Sequence, residues 1–294
     1  MTSDDSINVG NIANSTGIAI GHGAVANVTI NQIVQGLGDL PTHYDGPVRN
    51  FFEYYLGTPD RPAPFGGREA DLTALDQWLD DANAPRYLLL AAPAGRGKSA
   101  LLAHWVARLE QRSDSTRVHT VFFPISARFN SNREAVVFPA LYARIAHLHG
   151  DVATHAANAH EYRNVFMDYV RRPPPDGRRV LILLDGLDEA AGWEAGADLF
   201  PTEPPHLRVL VAARVLAGDP DWLTRLGWDV PGKARTLSLV GLDRDGVRDV
   251  LAQMGNPLDK LATKIDVVAK LHELSEGDPL LVCLYVEALQ SDGT

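Results

Sequence analysis

The chain has 294 residues, 45% of them hydrophobic and 22% charged, enough for one α/β core with a smaller attachment or for two modest domains. A net charge of −10 gives no general attraction for DNA or RNA, and Cys283, the only cysteine, excludes an internal disulfide and a Cys-based metal site. The polar start MTSDDS is no signal peptide and no apolar run reaches bilayer length, which predicts a cytoplasmic chain without a membrane span.

The first forty residues stand apart. From Ser6 to Gly38 there is no Asp, Glu, Lys, Arg or Pro, and IAI and VTI alternate at strand period around a GHG turn. Such a composition suits stacked cross-β assembly, with Asn14, Asn27, Asn31 and Gln32 as amide ladders and Ile18, Ala19, Ile20, Val28 and Ile30 as a dry zipper. A flexible low-complexity arm, or a hairpin packed on the core, fits the same residues. Residues 41–64, with several prolines and FFEYY, read as a mixed connector.

An αβ alternation follows. A helix is expected over 71–81, with Leu72, Leu75, Trp78 and Leu79 on one face, then a strand over 86–93 and a helix over 99–112. Strands are expected over 117–126, 178–185, 207–214 and 234–242, with helices between the second and third through about Tyr169. Short buried strands alternating with helices predict a parallel sheet covered on both faces. Beyond Leu242 the pattern is helical, at about 243–254, 258–275 and 279–290. The expected division is therefore an N-terminal segment (1–40), a connector (41–64), an α/β domain (65–242) and a small helical subdomain (243–294). The ten histidines show no metal-ligand spacing.

Directly after the first strand of the α/β part comes APAGRGKS. The phosphate-loop rule is G-x-x-x-x-G-K-[ST] between strand and helix, and Gly97, Lys98 and Ser99 match it, with Ala92 in the first glycine place. Gly95 and Gly97 let backbone N–H groups of Ala94–Ala100, Arg96 included, turn inward on phosphate oxygens, aided by the positive end of the following helix. Lys98 would bridge the β- and γ-phosphates of ATP, and the Ser99 hydroxyl would ligate Mg²⁺. Ala92 is tolerable if its φ is negative.

A second buried strand, RRVLILLD, ends in acids. Asp185 would hold the metal opposite Ser99. Glu189 is the first choice and Asp188 the second for polarising the attacking water. An acidic loop capping the next helix is the alternative. Arg214, closing VLVAAR, either reaches the γ-phosphate or the catalytic acid as a sensor, or forms a surface ion pair. TKID (263–266) fits a guanine-reading motif but falls inside an amphipathic helical pattern, so GTP is discounted.

Four stretches, APAGRGKS, LILLDGLDEA, VLVAAR and SEGDPLLV, together resemble the NACHT domains of signal-transduction ATPases with numerous domains, the group that includes NLR-type receptors. The resemblance spans roughly 60–290. It implies a P-loop NTPase with a five-stranded parallel sheet of order 5-1-4-3-2, and a slow ATPase that uses ATP, ADP and Mg²⁺ as a switch. It places Phe65, Gly67, Arg68 and Glu69 beside the adenine and Pro279 against the nucleotide. It further implies homo-oligomers on activation, and a winged helix and trigger-sensing repeats beyond residue 290, making this chain the front end of a larger receptor of defence or programmed death. IAIGHGA loosely resembles short RHIM-like amyloid-signalling motifs, so residues 1–38 would template an effector partner.

Overall fold

The computed structural model describes residues 42–58, 61–112, 118–154, 156, 158–215 and 221–292. The segment 1–40, with its expected strands and assembly motif, lies outside the described residues, as does His155.

The first described element is a helix, α1 (Thr42–Leu56), where an irregular connector was expected. Gly46 and Pro47 disguise it, since both disfavour a helix interior. Tertiary packing overrides them. Val48, Phe51, Phe52 and Leu56 form one buried helical face, and the Phe51 and Phe52 rings each lie 4.9 Å from Phe122. A two-residue hairpin, β1 (Gly57–Thr58) with β2 (Arg61–Pro62), leads to α2 (Glu69–Asp80), which buries Leu72, Leu75, Trp78 and Leu79.

The central sheet has five strands: β3 (Tyr87–Ala92), β4 (Val118–Pro124), β5 (Arg179–Asp185), β6 (Leu207–Arg214) and β7 (Ala234–Ser238). All pair in parallel in the order β4-β5-β6-β3-β7, which is 5-1-4-3-2 counted over these strands alone, as expected. β3 is buried along its whole length and β5 and β6 nearly so, as a parallel sheet covered on both faces requires. The helices between the strands are α3 (Lys98–Gln111), α4 (Glu134–Leu148), α5 (Ala159–Val170) and the short α6 (Trp222–Arg225). β7 ends at Ser238 rather than at 242. Its residues are largely exposed at the sheet edge, and the chain leaves the sheet towards Leu242.

Register gathers the chemistry at one edge. Ala92 stands opposite Arg214, and Pro124 opposite Asp185, so the loops after three neighbouring strands open at the same carboxyl end of the sheet. Arg208, fully buried on β6, donates to the carbonyls of Asp81 (2.6 Å), Ala84 (2.7 Å) and Pro85 (3.1 Å). It ties down the turn that feeds β3, and burial lowers its pKa to about 10.

A second, smaller apolar cluster holds Leu242, Val247, Val250, Leu251, Val268, Leu271, Val282 and Val286. These belong to the end of the α/β part and to α7 (Arg244–Ala252), α8 (Ile265–Ser275) and α9 (Pro279–Asp292). The helix expected over 258–275 is broken. A 3-10 stretch, Leu258–Thr263, buries no residue, and Lys264 is extended before α8 begins. TKID therefore straddles a break instead of lying inside a helix. Among the described residues no helix is long and apolar enough to cross a membrane.

Candidate functional site

The loop 93–97 joins β3 to α3, and its glycines take left-handed φ values, 82° at Gly95 and 86° at Gly97. Side chains rarely adopt such φ, so the curl depends on glycine. Ala92 lies within β3, where an extended backbone suits an alanine. Lys98, nearly buried, folds back to donate to the carbonyls of Ala92 (2.7 Å) and Pro93 (3.1 Å). Burial lowers its pKa, while Asp188, Asp185 and Glu189 act to keep it charged.

Asp185 at the end of β5 is buried and its Oδ1 has no hydrogen-bond partner. Burial raises its pKa to about 6, against the opposing pull of the Ser99 hydroxyl and Lys98. A hydroxyl beside a buried carboxylate with an orphaned oxygen is a donor set of hard oxygens that fits a magnesium ion. Gly186 turns the chain at φ 75°, and a side chain there would meet the Ile125 carbonyl.

The next turn, Leu187–Glu189, aims both acids at Arg214. Asp188 accepts from the Arg214 backbone N–H (2.8 Å) and lies 3.2 Å from its Nε. Glu189 Oε1 accepts from Arg214 Nη2 at 2.6 Å and its Oε2 from the Ala127 N–H at 3.0 Å. The Asn132 side chain holds the Glu189 carbonyl (2.9 Å). Neither acid caps a following helix, so the capping alternative does not describe this turn. Arg214, of the two roles weighed for it, engages the acid pair.

The helical subdomain reaches this loop. Asp278, whose carboxylate caps α9 through Leu280 N–H (2.9 Å), lies so close to Gly95 that a side chain there would strike it. Pro279 lies over Gly97. Arg96 Nη1 donates to the Glu276 carbonyl (3.0 Å). On the lead-in side, Arg68 donates to the Arg96 carbonyl (2.9 Å) and pairs with Asp71 (3.2 Å). Gly67 packs on Gly246 of α7. Phe65, Gly67, Arg68 and Glu69 line a cavity of about 520 Å³ with His104 and Asp249. There Phe65 stacks on the His104 ring at 3.8 Å, and burial lowers the His104 pKa to about 4.

The fold thus brings Lys98, Ser99, Asp185, Asp188, Glu189 and Arg214 to one edge, and Arg96, Arg68 and Pro279 around the loop. Phe65 and Glu69 line a side cavity. Sequence reasoning missed Tyr55, Ala127, Asn132 and Asp278. Asp278 had a signal, as an Asp before a helix-opening proline. Ala127 acts through its backbone and had none.

A family model described as an AAA ATPase domain matches residues 64–211, half of the chain. No curated protein matches the sequence. Among solved structures, the Orc1 protein of Aeropyrum pernix in complex with DNA is similar at TM-score 0.51 and 20% identity, over 79% of this chain and 61% of that one. Cdc6p of Pyrobaculum aerophilum is similar at TM-score 0.49 and 18% identity, over 82% and 66%. A signal-transduction ATPase with numerous domains and a tetratricopeptide-repeat sensor, from Pyrococcus horikoshii, aligns at TM-score 0.40 and 15% identity, over 77% and 30%. The chain spans less than two thirds of the length of each, and likeness at these identities speaks for the fold alone.

Proposed function

The chain belongs to the AAA ATPase domain family, and we propose that it works as a slow, ATP-dependent molecular switch of the NACHT, NLR-like kind. Membership implies nucleotide binding. In this reading Ala94–Ala100 cradle the phosphates, Lys98 neutralises them, and Ser99 and Asp185 hold magnesium, which when bound supplies positive charge against the phosphate oxygens. Glu189 is the base, Asp188 supports it, and Arg214 senses the γ-phosphate.

The observation that carries the switch reading is the state of Glu189. Both of its oxygens are engaged, one by Arg214 and one by Ala127 N–H. A carboxylate so held is a poor acceptor for a proton from water until Arg214 is drawn elsewhere. A site resting in this way turns over slowly unless something releases its base. The contact of Glu276, Asp278 and Pro279 with the phosphate loop supports a helical lid that responds to the nucleotide. ATP-bound copies would then associate, and residues 1–38 would template an effector, in antiviral defence or programmed cell death. The trigger would be sensed by domains beyond this chain.

Steady-state hydrolysis tests the reading. A switch predicts turnover of the order of 10⁻³ s⁻¹ unaided, comparable to switch GTPases. Sustained turnover above about 1 s⁻¹ would mark a continuously cycling machine instead. Deleting residues 1–38 should abolish output and leave nucleotide binding intact; unchanged output would remove that segment from the signalling role.

A further inference from the structure

Tyr55, in the last turn of α1, has no part in the chemistry described so far. Its side chain is half-buried, with the Phe51 ring at 4.7 Å and the Tyr54 ring at 4.9 Å. Its hydroxyl hydrogen-bonds the Ser99 side chain, and its backbone carbonyl accepts from the His104 ring. Both partners lie on α3, so Tyr55 is fixed twice to the helix that follows the phosphate loop.

The direction of the first bond follows from counting hydrogens. Ser99 has one proton and interacts with both Asp185 and Tyr55. An ionised carboxylate can only accept, so Ser99 donates to Asp185 and receives the Tyr55 proton on an Oγ lone pair. That oxygen is the one a magnesium ion would use. An Oγ that shares its electrons with a cation is a weaker acceptor, and positive charge beside it repels the Tyr55 proton. The tyrosine bond and the cation therefore oppose each other at one atom.

α1 also touches the base side of the site. Phe51 and Tyr54 pack on Phe129 at 5.9 and 6.3 Å, and the Arg128 guanidinium sits 4.4 Å above the Tyr54 ring. Phe129 and Arg128 belong to the turn whose Ala127 N–H holds Glu189. One helix thus spans from the metal-ligating hydroxyl to the loop that holds the proposed base. It directly follows residues 1–41 in the chain.

We infer that Tyr55 is a positioning residue of the metal site, holding Ser99 Oγ when no cation is bound and passing the arrival of the cation into α1. This rests on the magnesium–nucleotide reading above. The test uses the full chain and Tyr55→Phe, which keeps the packed ring and removes only the hydroxyl, with Tyr54→Phe as a control on the same helix. Nucleotide binding is titrated with magnesium, and hydrogen exchange of residues 42–56 is compared with ATP plus magnesium and with ATP plus a chelator. A lost hydrogen bond of about 1 kcal/mol corresponds to about fivefold. Tyr55→Phe should therefore lower the half-saturating magnesium concentration by about fivefold. Exchange in α1 should rise with magnesium in the wild type and in Tyr54→Phe, and show no metal dependence in Tyr55→Phe. If the wild type shows metal-dependent nucleotide binding but Tyr55→Phe matches it in both readouts, this inference fails and the switch reading stands. If the wild type binds no nucleotide with magnesium present, both fail.

Discussion

Both carboxylate oxygens of Glu189 accept hydrogen bonds, so its value as a base depends on what Arg214 does. Glu189→Gln keeps the shape and removes the basicity. It should lower hydrolysis by about 10²–10⁴-fold while ATP binding is retained, as filter binding and single-turnover assays would show. Asp185 makes a prediction of opposite character. Its carboxyl has a folded pKa of about 6 against an ordinary 3.8. Its contribution to stability is therefore full below pH 4 and lost as pH rises through 6. Asp185→Asn should stabilise the nucleotide-free, metal-free protein at pH 7 by about 1–2 kcal/mol, less than the full shift because the amide is also buried. That gain should shrink as pH falls below 6 and vanish near 4, measured by urea unfolding. A variant no more stable at pH 7 than the wild type would show that the carboxylate is not strained by burial.

At the scale of elements, the strands declared themselves because each is a continuous apolar run, and the loop after β3 because its glycines and Lys98 occupy fixed places. Strand order depends on long-range pairing that no local pattern carries, so it came from the resemblance. α1 was not legible. Its helical face, Val48, Phe51, Phe52 and Leu56, is real, but Gly46 and Pro47 mask its start and the partner that stabilises it, Phe122, is distant in sequence. The break at Lys264 was hidden for the converse reason, since the amphipathic pattern continues through a stretch that buries nothing. Phe52→Ala should cost about 3–5 kcal/mol by deleting a fully buried ring, read from denaturant midpoints. Arg208→Ala should cost about 3 kcal/mol, because it leaves buried carbonyls at Ala84 and Pro85 without their donor.

For the molecule as a whole, the site lies between two apolar clusters that meet at the phosphate loop. Arg96 joins them through the Glu276 carbonyl, and Gly277 sits against Leu242, whose N–H donates to it at 2.7 Å. Arg96→Ala should speed ADP release by about fivefold through loss of one charge-assisted bond of about 1 kcal/mol, seen by stopped-flow displacement of a fluorescent ADP. The proposal that Lys98, Ser99 and Asp185 meet across one magnesium–ATP is tested most directly by calorimetric titration of ATP into the wild type and into Lys98→Ala, with and without magnesium. The expected result is one ATP per wild-type chain, tighter with magnesium, and no measurable binding to the variant. Equal binding by the two proteins, or none by the wild type, would contradict it.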